Sequence, residues 1–312
     1  MSARLAKQRG VAVVTALLLT TLAVTIVASL FWQQQVQVRS MENQRLHLQT
    51  RWILRGALDW AKLILWQDGR DNTDITAENG VWATPLAETR LDQYVERERL
   101  QNESYDATIS GQVYDAQSRY NLMSLAPQGQ VQPKEVEVFE RLLAALQLDG
   151  GLAIAVANEV SRTTLPPKTA EGSGSKDAEP VAMMRIEDLL GIAGFTPQSV
   201  ERLRDFVIVL PEPTKVNVNT APAELLSALV PGMPVSEAQS IVLSRRRSAF
   251  NQSAFSAVLN GRPTAVEVDY KSGYFLVQSR VKLDRASLET WALIKRTTKP
   301  ILATTVEWIR EI

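Results

Sequence analysis

From Val11 to Trp32 the chain carries no charged side chain, and its polar positions are Thr15, Thr20, Thr21, Thr25 and Ser29. A helix over this run would be about 33 Å long at about 1.5 Å per residue, close to the roughly 30 Å hydrocarbon core of a bilayer. The hydroxyls are tolerable there because each can bond back to a carbonyl of the preceding turn. Arg4, Lys7 and Arg9 precede the run without an acid, which holds that flank in the cytoplasm and predicts export of the remainder. After a polar stretch that begins at Gln33, apolar residues return at helical spacing: Met41, Leu48, Trp52, Leu58 and Leu65, widened by Leu54, Ala57 and Ala61. No proline and a single glycine, Gly56, fall within residues 33–66. The pattern predicts one long helix, membrane-spanning in its first half and laid on a globular domain in its second. A membrane anchor followed by a separate core helix has the same periodicity.

Beyond Trp66, residues 68–80 are polar and turn-rich, hence a surface loop. Alternation over Ala107–Tyr114 predicts a strand. Helical patterns follow over Pro133–Leu148, Leu152–Arg162, Ile186–Leu210 and Ala221–Arg247, the last crossing a Pro231-Gly232 break. Residues 163–180 hold three prolines and Gly172-Ser-Gly-Ser175 and read as a flexible loop. Strands return over Gly273–Leu283 and Ala303–Arg310, across a polar connection that contains Lys299-Pro300. Strand, helical block, strand predicts an α+β protein: a small antiparallel sheet with a large helical domain inserted into it.

The apolar fraction of 45 % and charged fraction of 22 % suit a sizeable core. Lys+Arg and Asp+Glu both total 34, so no global basic field recruits nucleic acid. The absence of cysteine excludes thiolate catalysis, Cys-ligated zinc and disulfides. His47, the single histidine, lies in the long helix, which excludes a Ser-His-Asp triad or a histidine metal cluster. No enzyme and no cofactor are expected. Asp68, Asp71, Asp74 and Glu78 could gather Ca²⁺ through oxygen ligands, but they do not follow the EF-hand pattern, and a hydrated loop is the plainer reading.

Asn217, Asn219 and Thr220 stand between two valines and a helix start. They read as a structural cap, with Thr220 accepting from first-turn amides, Pro222 in the first turn and Glu224 near the positive dipole end. The same stretch is similar to a helix-hairpin-helix, a module that binds DNA phosphates through the amides of its hairpin. Here Pro231-Gly232-Met233-Pro234 lacks one glycine and Pro234 removes a donor. Residues 185–262 carry eight basic against seven acidic side chains, and Arg245-Arg246-Arg247 reads as a solvated helix end.

Arg9-Gly10-Val11, set before the apolar run, resembles the class III leader of type IV pilins and pseudopilins, which prepilin peptidase cuts after the glycine. Cleavage by a conventional signal peptidase near Val27-Ala28-Ser29, or retention as a plain signal anchor, are the competing readings. Val216-Asn-Val-Asn-Thr-Ala-Pro-Ala-Glu-Leu-Leu-Ser-Ala-Leu229, continuing through Ala238 and Arg245, resembles the helical insert of the K minor pseudopilins of type II secretion. Asp115, Arg119-Tyr120-Asn121-Leu122 and Leu125 resemble that family's Asp-x-x-Gly-Arg-Phe-Asn-Leu-Asn segment. Ser272-Gly-Tyr-Phe275 with Val281 and Leu283 resembles its strand after the insert. The Asp- and aromatic-rich stretch that the family usually carries after the helix near Arg162 is replaced here by the Gly/Ser/Pro loop, and any metal ligands kept in it are missing.

The resemblance implies a leader over 1–10, a transmembrane half-helix over 11–32, a pseudopilin α/β domain over 33–118 and 266–312, and an inserted helical domain over 119–265. It implies cleavage between Gly10 and Val11, N-methylation of Val11, and a single-pass inner-membrane protein with its bulk in the periplasm. Implied partners are the I and J minor pseudopilins, met through Met41, Leu48, Trp52 and Leu58, together with the major pseudopilin, the inner-membrane assembly platform and prepilin peptidase, and no nucleic acid. Ordinary pilins and pseudopilins carry glutamate at the fifth mature position, paired with the N-terminal amine of a neighbour; here that position is Thr15. A neutral residue suits a subunit with nothing above it, at the tip of the filament. The alternative is a membrane-anchored helix-hairpin-helix protein of DNA uptake or competence.

Overall fold

The computed structural model describes residues 9–91, 107–164 and 181–312. Residues 1–8 of the expected leader and 165–180 of the expected flexible loop lie outside the described residues.

Helix α1 runs unbroken from Arg9 to Asp71, 63 residues in all. The five strands of the main sheet are β1 (Leu86–Arg90), β2 (Ala107–Asp115), β5 (Tyr274–Leu283), β6 (Ala286–Thr297) and β7 (Ala303–Glu311), ordered β1-β2-β5-β6-β7 and antiparallel throughout. Between β2 and β5 the chain leaves the sheet to build a lobe. Its helices are α2 (Pro133–Ala145), α3 (Leu152–Thr164), α4 (Pro197–Leu203), α5 (Ala223–Leu229), α6 (Val235–Arg245) and α7 (Gln252–Val258). A two-residue parallel ladder, β3 (Tyr120–Asn121) with β4 (Val207–Ile208), and a single parallel bridge between Asn217 and Asp269 depart from its otherwise helical architecture. Asp115 pairs with Phe275 as the last rung between β2 and β5, so the lobe's two attachment points stand one strand spacing apart, about 4.8 Å.

Burial along β5 shows how the layers meet. Phe275, Val277, Val281 and Leu283 face α1 and are buried. Tyr274 and Leu276 point to the other face, where Ile208 and Leu210 of the lobe cover them. Farther along, Arg280 and Lys282 lie on that second face beyond the reach of the lobe and are exposed. The strand therefore reads as continuously apolar at the lobe end and alternating beyond it, as coverage on two faces and then one requires.

Two expectations are corrected. The polar connection expected between the last two strands contains β6, a twelve-residue strand. Its tight turn is Asp284-Arg285, with Asp284 at φ 50° instead of the glycine that marks most such hairpins. Secondly, the return from the lobe to the sheet comes at Tyr274, not at 266, because Val266, Val268 and Tyr270 still pack on the lobe's core.

The lobe is clasped to the sheet through buried polar groups. The Asp115 carboxylate accepts from Thr220 Oγ1 at 2.6 Å, Ser272 Oγ at 2.6 Å, Asn217 Nδ2 at 2.9 Å and the Gln117 amide at 2.8 Å. Asn217 Nδ2 also donates to the Thr76 carbonyl, which brings the loop after α1 into the same knot. Asn219 binds the backbone of Phe250 from both ends of its amide. Thr220 and the two asparagines are thus not the helix cap that their position suggests. Helix α5 starts at Ala223 behind Pro222 with no side-chain cap, and the Thr220 hydroxyl donates to Asp115. A second clasp joins Glu212 of the lobe to the Tyr274 hydroxyl at 2.6 Å and Lys295 at 2.7 Å, and burial with that carboxylate pushes the Tyr274 phenol up to about 12.

Burial raises the Asp115 carboxyl above its ordinary value, and the four hydrogen bonds offset this only in part. Asp115→Asn should destabilise the protein by about 2–4 kcal/mol at neutral pH, since an acceptor facing three side-chain donors becomes a donor. An acid whose folded pKa is raised binds its proton more tightly when folded. Its contribution to stability therefore grows as pH falls through the folded value toward the unfolded one near 3.8. Urea titrations at about pH 7 and about pH 4.5 should find the gap between wild type and Asp115→Asn wider at the lower pH.

Candidate partner-binding helix

Helix α1 presents two apolar faces after the membrane-spanning half. With about 100° between successive residues, Leu54, Leu58, Ala61 and Leu65 fall on one stripe. They pack on Phe275, Val277, Val281 and Ile294 of the sheet. Met41, Leu48 and Trp52 fall nearly opposite and are exposed, Trp52 by 67 %. Leu58, expected to meet a partner with Trp52, is 4 % exposed and belongs to the core; six residues of helix turn it to the other side. Sequence reasoning missed Trp60 and Leu63, exposed by 50 % and 59 %. Sorting the apolar positions by helical angle separates the two stripes, and that signal was present. Beside Trp60 an apolar cleft of about 230 Å³ opens between α1 and β2, lined also by Ile64, Leu86 and Val113.

Charged groups border this face. The Arg55 guanidinium stands 6.0 Å from the Trp52 ring centre. Arg51 pairs with Glu311 of β7 at 3.1 Å and Arg285 with Glu42 at 3.1 Å, which brace the exposed middle of the helix against the sheet's end. Both pairs are solvent-exposed, so each contributes little.

Nearer the N-terminus, Gly10 and Val11 lie in the first turn of α1. The apolar side chains of the spanning half are exposed, as a lipid-facing helix requires. The Thr15 hydroxyl donates to the carbonyls of Val11 and Ala12, both at 3.0 Å, so it is satisfied within its own helix.

The four acids weighed as calcium ligands do not converge. Asp68 forms a buried ion pair with Arg296 at 2.6 Å, Asp71 accepts from Gln67, and Glu78 pairs with Arg245 at 3.2 Å. Among the described residues no group of three His, Asp or Glu side chains could hold a metal ion. Arg296 also donates to Thr76 Oγ1 and to the carbonyls of Leu65 and Ser272, locking the end of α1 to β6. The expectation of a solvated arginine run is corrected at its first member. Arg245 is buried, donating to the carbonyls of Val218 and Ala221, and only Arg246 and Arg247 are exposed. A phosphate backbone would thus lack one cation of that run.

Two family models match the chain, both described as type II secretion system protein K, over residues 118–212 and 216–270. Together they span the lobe. The type II secretion system protein K of Pseudomonas aeruginosa is 29 % identical over 298 residues, covering 88 % of this chain and 85 % of that one. The Aeromonas hydrophila protein of the same name is 23 % identical, covering 91 % and 92 %. Among solved structures, the GspK–GspI–GspJ complex from enterotoxigenic Escherichia coli holds a chain of similar fold, with a TM-score of 0.60 and 17 % identity over 87 % of this chain and 99 % of that one. With the spanning helix, the five-stranded sheet and the inserted helical lobe, these likenesses make the chain a member of the type II secretion system protein K family, a minor pseudopilin.

Proposed function

We propose that this subunit occupies the distal tip of the pseudopilus, where it helps initiate assembly and so supports export of folded periplasmic proteins across the outer membrane. Before extraction it spans the inner membrane once, with Arg4, Lys7 and Arg9 holding its N-terminus in the cytoplasm and the sheet and lobe in the periplasm. Prepilin peptidase cuts between Gly10 and Val11, and the new N-terminal Val11 is methylated. Helix α1 then joins the I and J minor pseudopilins through the exposed stripe of Met41, Leu48 and Trp52. The solved relative in complex with GspI and GspJ supports that choice of partners. The assembly platform of the inner membrane and the major pseudopilin extend the filament beneath it.

The observation that carries the tip placement is Thr15. A buried glutamate at the fifth mature position needs the amine of the subunit above to offset its desolvation. Thr15 shares its one hydroxyl proton between the Val11 and Ala12 carbonyls of its own helix, is neutral, and needs no such neighbour. The lobe, roughly 150 residues held rigidly by the Asp115 clasp, also suits an end position better than a shaft of close-packed subunits.

Two measurements test this reading. The mature chain isolated from cells with prepilin peptidase should begin at methylated Val11, and Gly10→Val should block processing because a β-branched side chain crowds the cut; a chain beginning at Leu30 would instead identify conventional signal peptidase. The protein has no cysteine of its own, so single cysteines at Met41, Leu48 and Trp52 give clean cross-links. These should capture the I and J subunits, whereas ladders of self-cross-links would place the protein along the shaft.

A further inference from the structure

Gly56 serves no purpose visible among the described residues. It lies inside α1, no heavy atom of the described residues apart from the adjoining turns of its own helix stands within 4 Å of where its Cβ would be, and its φ is not in the left-handed region. After proline, glycine is the least favourable residue in a helix interior. Yet it sits on the exposed stripe: Trp52 and Leu63 fall within about 40° of it around the helix axis, and Trp60 borders the same face. A glycine between large exposed apolar side chains is a notch, deep enough for another backbone to come close and walled by surface that gains from burial.

We infer that Gly56 is the crossing point for the long helix of an I or J minor pseudopilin, whose backbone lies in the notch between Trp52, Trp60 and Leu63. The inference rests on the reading of α1 as the partner-binding helix. The occupant is a helix because α1 continues without a break from its membrane-spanning half. A neighbour drawn from the same bilayer runs alongside it at the same height. Charge narrows the choice further. Residues 33–63 carry Arg39, Arg45, Arg51, Arg55 and Lys62 against Glu42 and Asp59. Arg51 and Lys62 already hold Glu311 and Asp59, while Arg55 leans over Trp52 at the rim of the notch. The helix that fits is apolar along its contact face and acidic where it passes Arg55.

The test titrates the full-length protein, in detergent micelles, with the full-length I and J pseudopilins of the same bacterium. Gly56→Leu should weaken binding at least tenfold and Gly56→Ala about threefold. The thermal midpoint of each free variant should stay at or above that of wild type, because both residues are better helix formers. Arg55→Glu should weaken binding at low salt, with the difference shrinking as salt screens it. Wild-type binding that Gly56→Leu leaves within twofold would overturn the crossing point alone. Failure of the wild-type protein to bind either partner would overturn the partner-binding role of α1 and the crossing point with it.

Discussion

A carboxylate withdrawn from water holds the two halves of this protein in one orientation. Asp115 ends β2 at the rung where the chain departs for the lobe. It receives hydrogen bonds from the lobe through Asn217 and Thr220, and from the approach to β5 through Ser272. Removing that carboxylate's hydration is costly, the donors offset part of the cost, and losing any of them raises it further. The lobe therefore cannot swing on its two adjacent attachment strands without exposing or stranding several buried polar groups at once. Arg296 does the equivalent at the end of α1, tying Asp68, Thr76 and the Ser272 carbonyl to β6. Helix, sheet and lobe meet in one continuous polar knot, and rotation of any one of them disturbs the others.

That rigidity fixes the angle at which the exposed face of the long helix stands to the sheet and the lobe. Helix α1 is a single rod in three settings: apolar all round where it spans the membrane, polar through its middle, and two-faced where it lies on the sheet. On the two-faced part the stripe of Leu54, Leu58, Ala61 and Leu65 is consumed by the sheet. The opposite stripe has no counterpart among the described residues. Burial of the first holds the rod to the domain and so fixes the direction in which the second faces.

Much of this was legible in the residues themselves. Twenty-two uncharged residues behind a basic flank announce a spanning helix, and continued helical spacing without proline extends it to the domain. The strand, helical block, strand order predicts an inserted lobe. The helices over 133–145 and 152–164 match their sequence patterns closely, since each carries an apolar stripe strong enough to decide its own structure. Strand β6 was not legible, because its hairpin turns on Asp284 rather than on a glycine and its flanking polar residues resemble a loop. Asn217, Asn219 and Thr220 are legible as structural residues but not as a clasp, because their spacing from a helix start suits a cap equally well.

What the sequence by itself determined, then, is whatever depends on local pattern: the length and character of α1, the neutral fifth position after Gly10, and the division into sheet and lobe. Only the tertiary structure decided which apolar stripe of α1 is free and which is covered, because periodicity reports that a helix has an apolar side and not what lies against it. It also decided that Asp68 pairs with Arg296 and that Glu78 pairs with the buried Arg245. A charged residue has the same letter whether it is hydrated or buried against an opposite charge, and the partners that settle the matter are up to 228 positions away along the chain, as for Asp68 and Arg296.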